Sequence, residues 1–508
     1  MNNWLFTFFN YFMIFYSSGL ILSYLLMTIV SLIQIRRRKK YNSAEYIKRI
    51  LLNSPHTPGI SIIAPAYNEE TTVVDNVNSL LGMDYPKFEV IIVNDGSKDN
   101  TLEKLIKNFD LIEVPYNYIE YVKTKPYKRL FKSTNEKYKR LVVVDKENGG
   151  TKADASNAGI NVAQYPYFVC TDVDCILNPQ GLYYLIWDVL SSEKRVIAVS
   201  ATMRMANSCT MKDGRLAKIH PPISPLPLFQ ELEYIRSFLI GKTWWAAIGG
   251  MPNVSGGFGL FDTEIAIRVG GYHGQSMAED MDMIARMTSY MYHTETPYKV
   301  TQVPQTVCWT EGPSTLTIFN RQRTRWGRGL FQFFHLYWDI VFNRQYGIYG
   351  TVTLPYLFIF EFLGPIIEFI GFIVLLFLMI SGAINWTTFW LLLITVYIFM
   401  QFINTMSICF DNYTESTYSK RRWYAWLIIP SVLEAFIYHP ITVIFALKGY
   451  ISYLTTGDFK WGEMKRKGFK KEEEKEFAQK DEQIGNSINN EYFSNQNKVN
   501  SDPQQHNK

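Results

Sequence analysis

Cysteine and histidine are both scarce: the 508 residues include five of the first and seven of the second. The cysteines (Cys170, Cys175, Cys209, Cys308 and Cys409) are scattered without CxxC spacing. That excludes a disulfide framework and a structural zinc site, and it fits a reducing cytoplasmic setting with isolated buried thiols. An excess of one charge is also missing. Lys and Arg number 51 against 46 Asp and Glu, a net charge of +5, too small to argue for a nucleic-acid partner. The GxxxxGK[ST] spacing of a P-loop is absent. So are the basic start, short apolar core and small-residue cleavage site of a secretory signal, so the apolar amino-terminal run reads as a retained span.

Long apolar runs and aromatics are what the chain does have. Tyr, Phe and Trp make up 16% of it, a load suited to a membrane interface or to the faces of sugar rings. No charged side chain occurs from Trp4 to Ile33, and Arg36, Arg37, Arg38, Lys39 and Lys40 then follow. About 20 apolar residues cross a bilayer as a helix, so 1–35 is expected to span one. The basic cluster puts the amino terminus outside and the chain after it in the cytoplasm. Leu354 to Ile380, Trp386 to Phe410 and Trp423 to Leu447 are apolar again. The third carries Pro430, Glu434, His439 and Pro440. If all three crossed, the basic stretch KWGEMKRKGFKK would lie outside, against the positive-inside tendency. The third is therefore expected to be re-entrant or interfacial, with the tail cytoplasmic. From Glu472 onward the tail is Lys/Glu-rich and then Asn/Gln-rich, a disordered composition.

Between these regions the chain reads as an α/β domain. GISIIAPAY, FEVIIVNDGS, RLVVVDKENGG and YFVCTDVD are β-branched, apolar on both faces, and closed by polar residues. Helix-like stretches separate them, which is the pattern of a parallel sheet. Ligands of such sheets bind at the carboxyl ends of the strands, where these polar clusters fall.

Each cluster has a plain reading and a chemical one. Asn94-Asp95-Gly96 is an ordinary turn or a carboxylate placed for a base or ribose. Asn148 to Asp154 frees the backbone through two glycines before Lys152, as a diphosphate contact would need. Asp172 and Asp174 are a solvated acidic turn, or two carboxylates whose repulsion a hard divalent cation relieves. Glu279 and Asp280 open an amphipathic helix, where they complement its dipole or supply a general base. His273 is a structural histidine or a base. In FNRQRTRWGRGL, residues 319–330, the arginines anchor the chain to anionic lipid or form half of an active site.

Six of these elements occur in one order: PAYNE, NDGS, GGTKADASNAG, TDVD, AED and QRTRW. In that order they resemble membrane-embedded, processive family 2 glycosyltransferases, which include cellulose, hyaluronan, chitin-type and poly-N-acetylglucosamine synthases. The resemblance implies a GT-A domain, a Rossmann-like α/β fold that binds nucleotide-diphospho-sugars, flanked by transmembrane helices. It further implies an inverting hexosyltransferase that polymerises a β-linked exopolysaccharide from a UDP-sugar and helps export it. The runner-up is a non-processive enzyme adding one sugar to a lipid acceptor. An inactive membrane scaffold would show substituted acids, and Asp95, Asp172, Asp174 and Asp280 are all present.

By the same resemblance, Tyr67, Glu69 and Asp95 contact the nucleoside, Lys152 the diphosphate, and Asn157 supports that loop. Asp172 meets the nucleotide, and Asp174 with Asp172 holds Mg2+ or Mn2+. Asp280, paired with Glu279, deprotonates the acceptor. Gln322 and Arg325 bind the donor diphosphate, while Trp326, Gly256 and Gly257 border the acceptor. Trp309 and Trp244 offer further stacking faces or anchor the interface. The expected division is 1–35 membrane helix, 36–57 basic linker, 58–315 glycosyltransferase domain, 316–349 interfacial helices, 350–450 membrane region, and 451–508 basic then disordered tail. The expected location is the plasma (inner) membrane, multi-pass. The partners are a UDP-sugar donor, a growing polysaccharide or glycolipid acceptor, the bilayer, and export or accessory subunits. Three features depart from the pattern: Ala278 where many synthases have Thr, a basic stretch over 114–140, and a membrane part smaller than that of cellulose synthase.

Overall fold

A computed structural model describes residues 3–39, 44–115, 118–172, 175–212, 215–456 and 470–471. Asp174 and the tail from Glu472, both subjects of expectations above, lie outside them. The four both-face apolar runs form β1 (Ile60–Ala66), β2 (Phe88–Asp95), β5 (Leu141–Lys146) and β6 (Tyr167–Thr171), which lie side by side in the order β5-β2-β1-β6, all parallel. Their side chains alternate between two cores. Ile60, Ile62 and Ala64 of β1 enter one core and Ile63 the other, and all four are fully buried. Burial on both faces is why these strands lack polar alternation.

The flanks depart from the parallel expectation. On one side β3 (Leu111–Glu113) and β4 (Tyr127–Ser133) add antiparallel strands, so part of the basic 114–140 stretch is β4, paired between β5 and the edge strand β3. On the other side, β11 (Phe258–Asp262) lies antiparallel between β6 and β8 (Arg195–Met205). Beyond it come β12 (Tyr298–Thr310) and the two-residue β7 (Ile176–Leu177). The result is a ten-stranded mixed sheet. A small second sheet joins β9 (Thr210–Lys212), β10 (Arg215–Lys218) and β13 (Lys470–Lys471).

Eight helices matter to the site: α1 (Asn3–Lys39), α2 (Lys152–Val162), α3 (Pro225–Arg236), α4 (Glu279–His293), α5 (Leu316–Leu336), α6 (Gly364–Ile380), α7 (Trp386–Thr414) and α8 (His439–Thr455). Among the described residues, four stretches are long and apolar enough to cross a membrane: Tyr11–Lys39, Tyr349–Ile380, Trp386–Thr414 and Arg421–Thr455. The second contains π-helical turns around Pro355, and the fourth has one at Glu434–Tyr438, just before Pro440. A proline cannot donate the normal helical hydrogen bond, and the ladder loosens there.

Three buried arginine clusters fasten the sheet domain to the carboxy-terminal helices. Arg204 pairs with Glu231 at 2.6 Å and with Asp411. Arg236 pairs with Glu434 at 2.7 Å and also bonds Asn404. Arg323 donates to Glu233 at 2.7 Å and to the Tyr438 hydroxyl at 2.9 Å. Glu231, Glu233 and Arg236 all belong to α3, so this one helix carries a partner in every cluster. Removing one member of a buried pair costs about 3–5 kcal/mol, because the other is left charged and dry.

The contact between α5 and α8 is equally close. A Cβ at Gly327 would lie 2.6 Å from the Ala446 carbonyl, and one at Gly449 would lie 2.5 Å from the Thr324 carbonyl. Glycine lets the two backbones touch. Paired positions rise together along both helices, from Phe319 with Phe445 to His335 with Tyr453, so α8 runs parallel to α5.

Candidate active site

The carboxyl end of β6 delivers Asp172, and the start of α2 delivers Lys152. The Thr151 hydroxyl accepts from the Asp154 amide at 3.3 Å and caps α2, which fixes where Lys152 emerges. Its ammonium lies 2.5 Å from Asp172 Oδ1 and donates to the Gly256 carbonyl at 2.6 Å. Burial works against the charged form of Lys152, but the neighbouring Asp172 carboxylate outweighs it and holds the pKa above the ordinary lysine value.

Gly256 and Gly257 make this crowding feasible. A Cβ at Gly256 would lie 3.0 Å from Glu279 Oε1, and one at Gly257 would lie 2.8 Å from the Met203 methyl. Across them stands the first turn of α4. Glu279 is buried, with Oε2 3.9 Å from Arg325 Nη1. Burial raises its pKa and the Asp280 charge adds to that, while Arg325 pulls the other way. Asp280 is half-buried, and its Oδ2 accepts from the Asn253 amide at 3.0 Å.

Helix α5 completes the wall. Gln322, Arg325 and Trp326 face the same cavity, of about 820 Å3, that Lys152, Asp172, Gly256, Gly257, Glu279 and Asp280 line. Gln322 Oε1 is buried there without a hydrogen-bond partner. The cavity does not stop at these residues. It continues past Trp245 to Tyr356, Glu361 and Glu368 on one long apolar stretch and to His439 and Tyr450 on another.

Other expected site residues fall elsewhere. Tyr67, Glu69 and Asp95 stand at the neighbouring ends of β1 and β2, outside this lining. Tyr67 is exposed, the Glu69 carboxylate accepts from the Thr72 hydroxyl, and Asp95 Oδ1 accepts from Lys146 at 2.8 Å and the Gly149 amide at 3.0 Å. Asn157 is outside the cavity lining: its side chain is buried and bonds both the amide and the carbonyl of Tyr272, which braces α2, the helix that carries Lys152, against that turn. Of the two tryptophans offered as stacking faces or interface anchors, Trp309 is buried in a separate small core and Trp244 is outside the cavity, whereas Trp245 lines it. His273 is exposed and also outside.

Asp172 is not a bare carboxylate, since Lys152 pairs with it. Among the described residues no group of three or more His, Cys, Asp or Glu could hold a metal ion. Sequence reasoning also missed the role of Arg323. Its guanidinium lies 4.3 Å from the Trp326 ring centroid, so the Glu233 cluster also sets the tryptophan's orientation. Its partner is 90 positions away, and no local pattern announces it.

Comparison with known proteins agrees with this geometry. The model of "Glycosyl transferase family 2" matches residues 61–121 and 123–242, and that of "Glycosyl transferase family group 2" matches 208–438. The chain belongs to glycosyltransferase family 2. The enzyme is 27% identical over 380 residues to a poly-beta-1,6-N-acetyl-D-glucosamine synthase of Staphylococcus epidermidis, covering 73% of this chain and 79% of the relative. A Staphylococcus aureus protein of the same name is 28% identical over 278 residues, 55% of this chain and 56% of the relative. Among solved structures, a mannosyltransferase from Pyrobaculum calidifontis with GDP-Man and Mn2+ aligns at TM-score 0.46 and 15% identity, covering 85% of this chain and all of that one. S. aureus TarS 1–349 with UDP-GlcNAc aligns at 0.32 and 16%, over 59% and 77%. These two likenesses are too distant to argue from. The enzyme is thus a hexosyltransferase of the processive exopolysaccharide type, with a GT-A fold and apolar helices that fit a membrane protein.

Proposed function

We propose that the enzyme polymerises a β-linked hexosamine chain from UDP-N-acetylglucosamine and passes the product into the membrane as it grows. One observation carries this reading: the cavity that holds the acid pair, Lys152 and Arg325 continues unbroken between helices apolar enough to cross a bilayer. A one-sugar transferase would use the same opening to admit a lipid acceptor, and product size separates the two. The named relatives supply the choice of sugar.

The site residues act as follows. The nucleoside meets Tyr67, Glu69 and Asp95 at the ends of β1 and β2, and the diphosphate reaches Lys152 and Arg325. Asp280 accepts the proton of the acceptor hydroxyl as that oxygen bonds the anomeric carbon. The bond from that carbon to the diphosphate breaks, and UDP leaves with the electron pair. Asn253 holds Asp280 in position. Lys152 and Arg325 meet the developing negative charge in a site already arranged for it. The hard oxygen donors at the end of β6 fit Mg2+ or Mn2+, which Asp172 and Asp174 would hold, and the ion when bound neutralises diphosphate charge. Trp326 gives the acceptor sugar a flat face.

The same reading places the catalytic domain and the tail in the cytoplasm. Two observations support it: α8 lies along α5, which lines the active-site cavity, and β13 of the tail pairs with β9 of the sheet domain. The fourth apolar stretch then ends at the interface. A reporter fused after Lys508 is expected to be active only in the cytoplasm, and activity only outside would contradict this placement.

The direct test is incubation of the reconstituted enzyme with labelled UDP-N-acetylglucosamine and a divalent cation, followed by sizing of the product. A ladder of long chains is expected.

A further inference from the structure

A lysine that no motif marks stands in the cavity wall. Lys242 ends a π-helical turn, Ser237–Lys242, between α3 and the short helix Thr243–Ile248. No proline causes this turn, and π turns of that kind gather at functional sites because they re-aim the side chains that follow. Only 8% of Lys242 is exposed, and it lines the cavity together with Asn253 and Asp280.

Its surroundings leave the ammonium unmatched. Among the described residues it makes no hydrogen bond or ion pair, and its one polar-type contact is the Phe238 ring, 4.7 Å from Nζ. Burial pushes its pKa down to about 8, and the charge that partly resists this is Asp280's. An ammonium held against apolar neighbours and open only to the cavity, with no protein acceptor, calls for an explanation, and a ligand oxygen in the cavity supplies one. Lys152 shows the contrast, being held by Asp172 and Gly256. Lys152 has protein acceptors, and Lys242 has none among the described residues.

We infer that Lys242 is an acceptor-binding residue: it donates a hydrogen bond to a hydroxyl or N-acyl carbonyl oxygen of the terminal sugar and so sets that sugar's hydroxyl against Asp280. The assignment deepens the polymerase reading and rests on it. A strong donor in the same cavity as the base adds a fixed point for the acceptor beyond those of Trp326 and Asn253. An apolar wall there would hold a sugar ring without choosing its rotation.

The test uses the full chain in detergent or nanodiscs and a β-1,6-linked N-acetylglucosamine trimer, with trimer binding measured calorimetrically in the presence of UDP. Lys242→Met is expected to weaken the trimer by about tenfold or more, the loss of one charged hydrogen bond, while UDP affinity stays within about twofold. Lys242→Arg, which keeps a cationic donor, is expected to recover most of the trimer affinity. Equal trimer affinity in wild type and Lys242→Met overturns the assignment. So does a parallel fall in UDP affinity, or an arginine variant that binds UDP normally but the trimer as poorly as the methionine one. Because binding is read without turnover, wild-type enzyme that binds the trimer but elongates nothing counts against polymerisation and not against Lys242.

Discussion

Asp280→Asn is expected to lower sugar transfer by about 1,000-fold, the usual share of a positioned general base, while UDP still binds. The change is nearly isosteric, so the Asn253 contact and the first turn of α4 persist. What is lost is the group that takes the acceptor proton. The neighbouring Glu279 is a poor substitute. It is buried beside Arg325 and turned toward Gly256, and burial favours its protonated form. The measurement is the initial rate of transfer by purified variant, with UDP affinity as the control on folding. Near-wild-type transfer would remove Asp280 from the role of base.

Arg325→Ala is expected to cost about 100- to 1,000-fold in kcat, the scale seen when one preorganised donor to a developing anion is removed. Lysine at this position should recover little, since a guanidinium meets diphosphate oxygens through a planar fork that an ammonium lacks. The effect should appear in kcat more than in the donor KM, because Lys152 remains to bind the ground-state diphosphate. An unchanged kcat with a raised donor KM would make Arg325 a binding residue only. Arg323, two residues earlier, has a different function: its guanidinium is spent on Glu233 and Tyr438.

That difference shows what the sequence could reveal. Strands β5, β2, β1 and β6 were legible because burial on both faces leaves an unbroken β-branched run, and the polar residues closing each run fall at the strand ends. The carboxylates and Lys152 were legible for the same reason. Strand β11 was not, since FGLFD is short and nothing local says that it runs antiparallel between β6 and β8. The charges of α3 resemble a solvated helix face until Arg204, Arg323 and Glu434 arrive from elsewhere in the chain to bury them. Arg323 was hidden inside a basic stretch that resembles a lipid anchor throughout. Lys242 was hidden because an apolar helix ending in one lysine is an ordinary pattern, and only the fold places that lysine in a cavity. FNRQRTRWGRGL therefore divides its labour: Gln322, Arg325 and Trp326 face the site, Arg323 braces it from behind, and Gly327 lets α8 lie close.

One continuous cavity is proposed both to make the polymer and to export it. The measurement that tests this proposal most directly is the size of the product that wild-type enzyme, reconstituted in lipid vesicles with its catalytic domain outward, makes from labelled UDP-N-acetylglucosamine. Long chains that become protected inside the vesicles from an added hydrolase are expected. A product one sugar long on a lipid would contradict the proposal.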